Sequence, residues 1–125
     1  LPPAAARSAL ASGAHVRALL LALRLKDLPL VQAVMTSVPP VKVGETARAV
    51  PVFYLPRVLA EVASGLESSP HVELWLRWVR ALGLAHTQTM QRRSRELQPV
   101  FRRITKALTQ LHEDMAGSPR GKVYS

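Results

Sequence analysis

The chain has 125 residues, no cysteine and a formal net charge of +9, which leaves room for one domain with a buried core of its own. Without thiols there is no disulfide framework, thiolate zinc site, iron–sulfur cluster or cysteine nucleophile, and without asparagine there is no N-glycosylation acceptor. Apolar residues make up 48% of the chain and mean hydropathy is +0.09, values of a globular domain rather than a disordered or membrane-spanning one.

The predicted elements are helical almost throughout. Pro2 and Pro3 lead into a short first helix, Ala4 to Leu10, punctuated by Ser12-Gly13. Ala14 to Leu25 carries Val16, Leu19, Leu20 and Leu23 at the spacing of one helical face. Its longest apolar stretch, Ala18 to Leu25, is far short of the roughly 20 residues that span a bilayer and lies too deep for a secretory leader. Asp27 is placed to cap the next helix, with Pro29 in its first turn; Leu28, Val31, Val34, Met35 and Val38 form its apolar face, and Pro39-Pro40 ends it. Val41 to Val50 reads as a loop holding a helical turn or two. From Pro51 to Leu66 the pattern is helical again, with Phe53, Val58, Leu59, Val62 and Ala63 inward and Pro56 in the first turn.

Ser69 and Pro70 predict the next helix start, as N-cap and first helical residue, with Glu73 complementing the positive end of the dipole. The helix that follows, with Val72, Leu74, Trp75, Leu76, Trp78, Val79, Leu82 and Leu84, is apolar around most of its circumference and is expected to be packed on several sides. Gln91 to Gln98 reads as a corner because Pro99 breaks or begins a helix. Beyond it Leu97, Phe101, Ile104, Leu108, Leu111 and Met115 form a heptad seam. The expected architecture is therefore all-α, with six or seven short helices packed as antiparallel hairpins and no sheet. Residues 1–13 form a lead-in and short helix, 14–116 a helical assembly domain, and 117–125 a tail. A chain that opens Leu1-Pro2-Pro3 is expected to be part of a longer protein.

Catalytic chemistry finds no foothold. Asp27 and Asp114 are the only aspartates, and the glutamates at 45, 61, 67, 73, 96 and 113 offer no converging pair beyond Glu113-Asp114, so all read as solvated charge. His15, His71, His86 and His112 lack metal-ligand spacing and read as helix surface or cap residues. The six glycines form no phosphate-cradling loop. The chain reads as a non-enzyme with no cofactor, metal or small-molecule substrate.

Two features point to partners instead. From Arg77 to Lys106 eight basic side chains stand against Glu96 alone. Arg92, Arg93, Arg95, Arg102, Arg103 and Lys106 are the candidates for contact with RNA or an acidic protein surface; the plainer alternative is a solvated turn that keeps an apolar domain soluble. No aromatics interleave with them, which argues against a sequence-reading RNA fold. The second feature is apolar. Trp75 and Trp78 are either core residues or anchors for a partner helix, and the seam of Leu97, Phe101, Ile104, Leu108 and Leu111 packs within the domain or docks another chain.

An ordered series of segments carries a resemblance. Ala22-Leu23-Arg24-Leu25, Ser37-Val38-Pro39-Pro40, Tyr54-Leu55 with Val58-Leu59, Ser69 through Trp78, His86, and Leu97-Gln98-Pro99-Val100 occur in this order across most of the chain. The series resembles the C-terminal helical domain of the WD-repeat subunits of the UTP-B complex; this chain has Lys26 where that family usually carries asparagine after Leu-Arg-Leu. The resemblance implies a non-catalytic scaffold that follows tandem β-propellers and associates with the equivalent domains of sister subunits. It implies a nuclear, nucleolar place in the small-subunit processome, with possible contact to pre-ribosomal or small nucleolar RNA and no membrane.

Overall fold

The structure is a computed structural model, and residues 3–116 are described. They form eight α-helices: α1 (Pro3–Ala11), α2 (His15–Leu25), α3 (Leu28–Ser37), α4 (Val43–Arg48), α5 (Leu55–Ser68), α6 (Val72–Ala85), α7 (Thr87–Arg92) and α8 (Ser94–Met115), with single 3₁₀ turns at Pro40–Lys42 and Val52–Tyr54. No strand occurs among the described residues. The fold is all-α as expected, with one α-helix more than the highest expected count and two 3₁₀ turns besides. The tail assigned to 117–125 lies outside the described residues. Among the described residues no single helix is long and apolar enough to cross a membrane.

Short connections fold the chain into hairpins. Ser12 to Ala14 joins α1 to α2, with Gly13 at a φ of 82°, a left-handed conformation that glycine adopts without strain. Lys26 makes the second reversal at a φ of 57°, costly for a side chain with a Cβ and better suited to glycine or asparagine. Asp27 then caps α3 by accepting a hydrogen bond from the Leu30 amide at 3.1 Å. α1 packs on α2, α2 on α3, and α3 on α5; α5 in turn carries α6 and α8 on its surface, and α4 lies against α6. One core runs through the array, from Ala6 of α1 through Leu19, Val31, Met35, Leu55, Val58 and Val62 to Trp75, Trp78 and Leu82.

Several local expectations are corrected. α5 begins at Leu55, not Pro51, and Phe53, expected inward, lies in the preceding 3₁₀ turn with 82% of its surface exposed, edge-on to Tyr54. α6 begins at Val72, two residues later than Ser69-Pro70 predicts. Ser69 still serves the helix start, but its hydroxyl accepts from the His71 amide ahead of the first turn. Pro99 neither breaks nor begins α8 but sits inside it, six residues from its start. There its missing N–H orphans only the carbonyl of Arg95, which is exposed and open to water. The corner expected over Gln91 to Gln98 therefore shrinks to Arg93, between α7 and α8.

Most polar groups inside the core are matched; the Trp75 indole nitrogen is buried without a partner among the described residues. Met35 is in the last turn of α3, and its carbonyl would take its helical hydrogen bond from residue 39, a proline without an N–H. The Trp78 indole supplies the missing donor at 3.1 Å and so ties α6 to α3. Glu61, read from sequence as solvated, is buried; Gln32 donates to its carbonyl at 2.7 Å and to its carboxylate at 3.0 Å, pinning α3 to α5. His86 is also buried, at the junction of α6 and α7. Its Nε2 is 2.8 Å from the Ala47 carbonyl of α4; a carbonyl only accepts, so Nε2 carries the hydrogen.

Candidate interaction surfaces

The expected partner-binding residues divide into core and surface. Trp75 and Trp78 have no exposed surface at all, and Leu97 and Ile104 are buried. These four lie in the core of the folded chain and present no surface there for a partner. The physical reason lies in α5, which presents Gly65 to the Trp75 ring and packs along α8. Phe101, Leu108 and Leu111 are half-buried against the same core. The heptad seam thus packs mainly within the domain and weakens toward its end, where Met115 is 81% exposed.

α6 supplies the apolar surface that sequence reasoning missed. Expected to be enclosed, it packs on α5 and α4 and touches α7 and α3, yet part of its apolar surface stays exposed. Val72, Leu76, Val79 and Gly83 follow one another at spacings of 4, 3 and 4, a single stripe beside the buried one. Val72 and Val79 are half-buried, Leu76 is exposed, and a Cβ added at Gly83 would meet nothing within 4 Å. On the helix's other side Leu84, 70% exposed, lines a shallow groove of about 190 Å³ with Pro40, Val43, Arg77 and Arg80. Val41, at the rim of the same 3₁₀ turn, is 87% exposed. The available signal was arithmetic: in so short a chain a helix apolar on nearly every side has too few neighbours to be covered.

The basic candidates also divide in two. Arg93 is held by Glu96 through contacts of 3.0 and 2.6 Å, and Arg103 by Glu67 through contacts of 3.2 and 2.7 Å with Ser64 alongside. The hydrogen bond from Arg103 keeps the Glu67 carboxyl below its usual range against a smaller opposing effect of burial, and the same bond raises Arg103. The Arg93–Glu96 bond acts alike, lowering Glu96 and raising Arg93. Arg92, Arg95, Arg102 and Lys106 are exposed and make no ion pair among the described residues. Spacings of 7 and 4 put Arg95, Arg102 and Lys106 on one face of α8, opposite buried Leu97 and Ile104. The cluster is a solvent-facing helix stripe rather than a corner.

Carboxylates and imidazoles remain scattered: no group of three His, Asp or Glu side chains among the described residues could hold a metal ion. The architecture is a helical-hairpin domain with an uncovered apolar stripe on one helix and a basic stripe on another. Sequence comparison then places it. The chain belongs to the Dip2/Utp12 family, whose model matches residues 26–117. It is similar to periodic tryptophan protein 2 of Arabidopsis thaliana, 33% identical over 123 residues, and to the homologue of that protein in Mus musculus, 31% identical over 114 residues. Those alignments cover 98% and 91% of this chain but only 14% and 12% of the relatives. The Schizosaccharomyces pombe homologue is 26% identical over 116 residues, 93% of this chain and 14% of its own length. The chain therefore spans about one-seventh to one-eighth of the length of these relatives.

Proposed function

We propose that this domain is a non-catalytic assembly module of a WD-repeat protein in ribosome biogenesis. Its partners are the equivalent C-terminal domains of sister subunits in the UTP-B complex, and its place is the nucleolar small-subunit processome acting on pre-ribosomal RNA. The observation that carries the reading is the open stripe of α6. Leu76 is exposed, the half-buried Val72 and Val79 flank it at helix-pairing spacing, and Gly83 lets a second helix approach closely. Family membership supports it, and so does the small share of each relative that the chain represents.

The test is a Leu76→Glu, Leu84→Glu variant in the full-length protein. Leu84 is 70% and Leu76 37% exposed, so the change gives up part of one leucine's burial, about 1–2 kcal/mol, and leaves the domain folded. The expected result is loss of co-sedimentation with the pre-ribosomal particle and accumulation of unprocessed small-subunit RNA. Normal sedimentation and processing would contradict the reading.

A second reading rests on Arg95, Arg102 and Lys106 along α8 and Arg92 at the end of α7, exposed cations that form no ion pair among the described residues. In it α8 grips RNA phosphates without reading sequence. Replacing these four residues with serine should lower the salt slope of RNA binding by roughly 3 to 4 in logarithmic terms, nearly one per phosphate lost. An unchanged slope would remove RNA contact from this face.

A further inference from the structure

A groove of about 720 Å³ runs beside α2, on the side of the 40–48 segment turned away from α6. Lys42 and Glu45 face it, whereas Val43 and Gly44 of the same turn face α6. Val16, Leu20 and Leu21 give it an apolar floor, and His15, Arg17, Arg24 and Lys42 stand around it. Glu45 is its one carboxylate, and it is engaged by Lys42 at 3.9 Å. Arg17 and Arg24 are both exposed and lie seven residues apart, about 10 Å or two turns along the helix.

The chemistry selects the occupant. A second copy of this chain would bring a net charge of +9 toward these cations and be repelled. Residues 117–125 add Arg120 and Lys122 and no acidic side chain, so they offer no complement either. A nucleic-acid strand could use the cations, but the groove has no Phe, Tyr or Trp on which its bases would stack, and an apolar floor does nothing for phosphates. A helix with aliphatic residues on one face and carboxylates beside them satisfies both floor and rim. We propose that this groove docks an acidic amphipathic helix from a protein partner, with leucine-like side chains on Val16, Leu20 and Leu21 and carboxylates on Arg17 and Arg24. This site is independent of the α6 stripe.

The probe is a fluorescein-labelled peptide of about four helical turns, built from Leu, Glu and Ala with Leu repeating at helical spacing. It is titrated into the 125-residue chain beside a scrambled peptide of the same composition and an oligonucleotide RNA of similar length. Saturable binding is expected, at least about tenfold weaker for the scrambled peptide and for Arg17→Glu, Arg24→Glu, and within about threefold of native for Arg17→Lys, Arg24→Lys. Amide shifts should map to α2 and residues 40–45, and Leu76→Glu should leave affinity unchanged. Four results would overturn the proposal: no binding, equal binding of the scrambled peptide, shifts confined to α6 or α8, or displacement of the peptide by RNA at the same residues.

Discussion

Gly65→Ala is the substitution whose cost can be worked most directly from this structure. A Cβ added at Gly65 would lie 2.2 Å from Cε2, 2.3 Å from Cδ2 and 2.6 Å from Nε1 of the Trp75 indole. Carbon atoms in favourable contact stand about 3.5–4.0 Å apart, so α5 and α6 must separate by roughly 1.4 Å or the ring must turn. Turning is blocked: Trp75 has no exposed surface and sits in the same core as Trp78 and Leu82. Overpacking of this kind costs about 1–3 kcal/mol, and so close an approach belongs at the upper end. Against it stands the helix-propensity gain of alanine over glycine, about 1 kcal/mol. The clash wins by about 2 kcal/mol, or a fall in Tm of roughly 8 °C for a domain this size. Thermal and urea unfolding followed by tryptophan fluorescence measure it. Gly83→Ala is the comparator: the same gain with nothing within 4 Å of the new methyl, so stability should rise by about 0.5–1 kcal/mol. If Gly65→Ala matched or exceeded native stability, the close packing of α5 on α6 would be wrong.

Three further predictions follow from single contacts. Lys26→Gly removes the strain of a side chain at a φ of 57° and should raise stability by about 0.5–1 kcal/mol in urea unfolding; a loss would mean the reversal is not left-handed. Trp78→Phe leaves the Met35 carbonyl without the donor that Pro39 cannot supply, and with the lost volume should cost about 2–3 kcal/mol by the same assay. Arg103→Gln releases Glu67, a half-exposed pair that stabilises by only a few tenths of a kcal/mol after screening. The folded Glu67 pKa is lowered from 4.5, so the native advantage is full above the unfolded value and disappears as pH falls through the folded one. Unfolding curves of the two proteins should therefore converge in acid and separate toward neutral pH.

Helix starts and stops were legible wherever one residue acts locally. Asp27 caps α3 because its carboxylate reaches the Leu30 amide whatever the rest of the fold does, and Pro39 closes the same helix. Pro99 misled because a proline's effect depends on where the helix began, and that was set by the turn at Arg93 rather than by the proline. Phe53 misled because apolar character was taken for burial, while the 3₁₀ turn points it outward. Glu61 and His86 were legible only as titratable residues. Their partners, Gln32 and the Ala47 carbonyl, are 29 and 39 residues away in sequence and meet them only through tertiary packing. The interaction surfaces divide in the same way. The basic stripe on α8 follows from local spacing, but which of its arginines are neutralised depended on Glu67, on another helix.

In the proposed role a partner covers the exposed apolar residues of α6. The direct measurement is the light-scattering mass of this domain mixed, at moderate salt, with the C-terminal domains of sister WD-repeat subunits. A stable heteromer that Leu76→Glu, Leu84→Glu abolishes, with the variant still unfolding cooperatively, is the predicted result. A mass of 13.7 kDa in every mixture would contradict the claim.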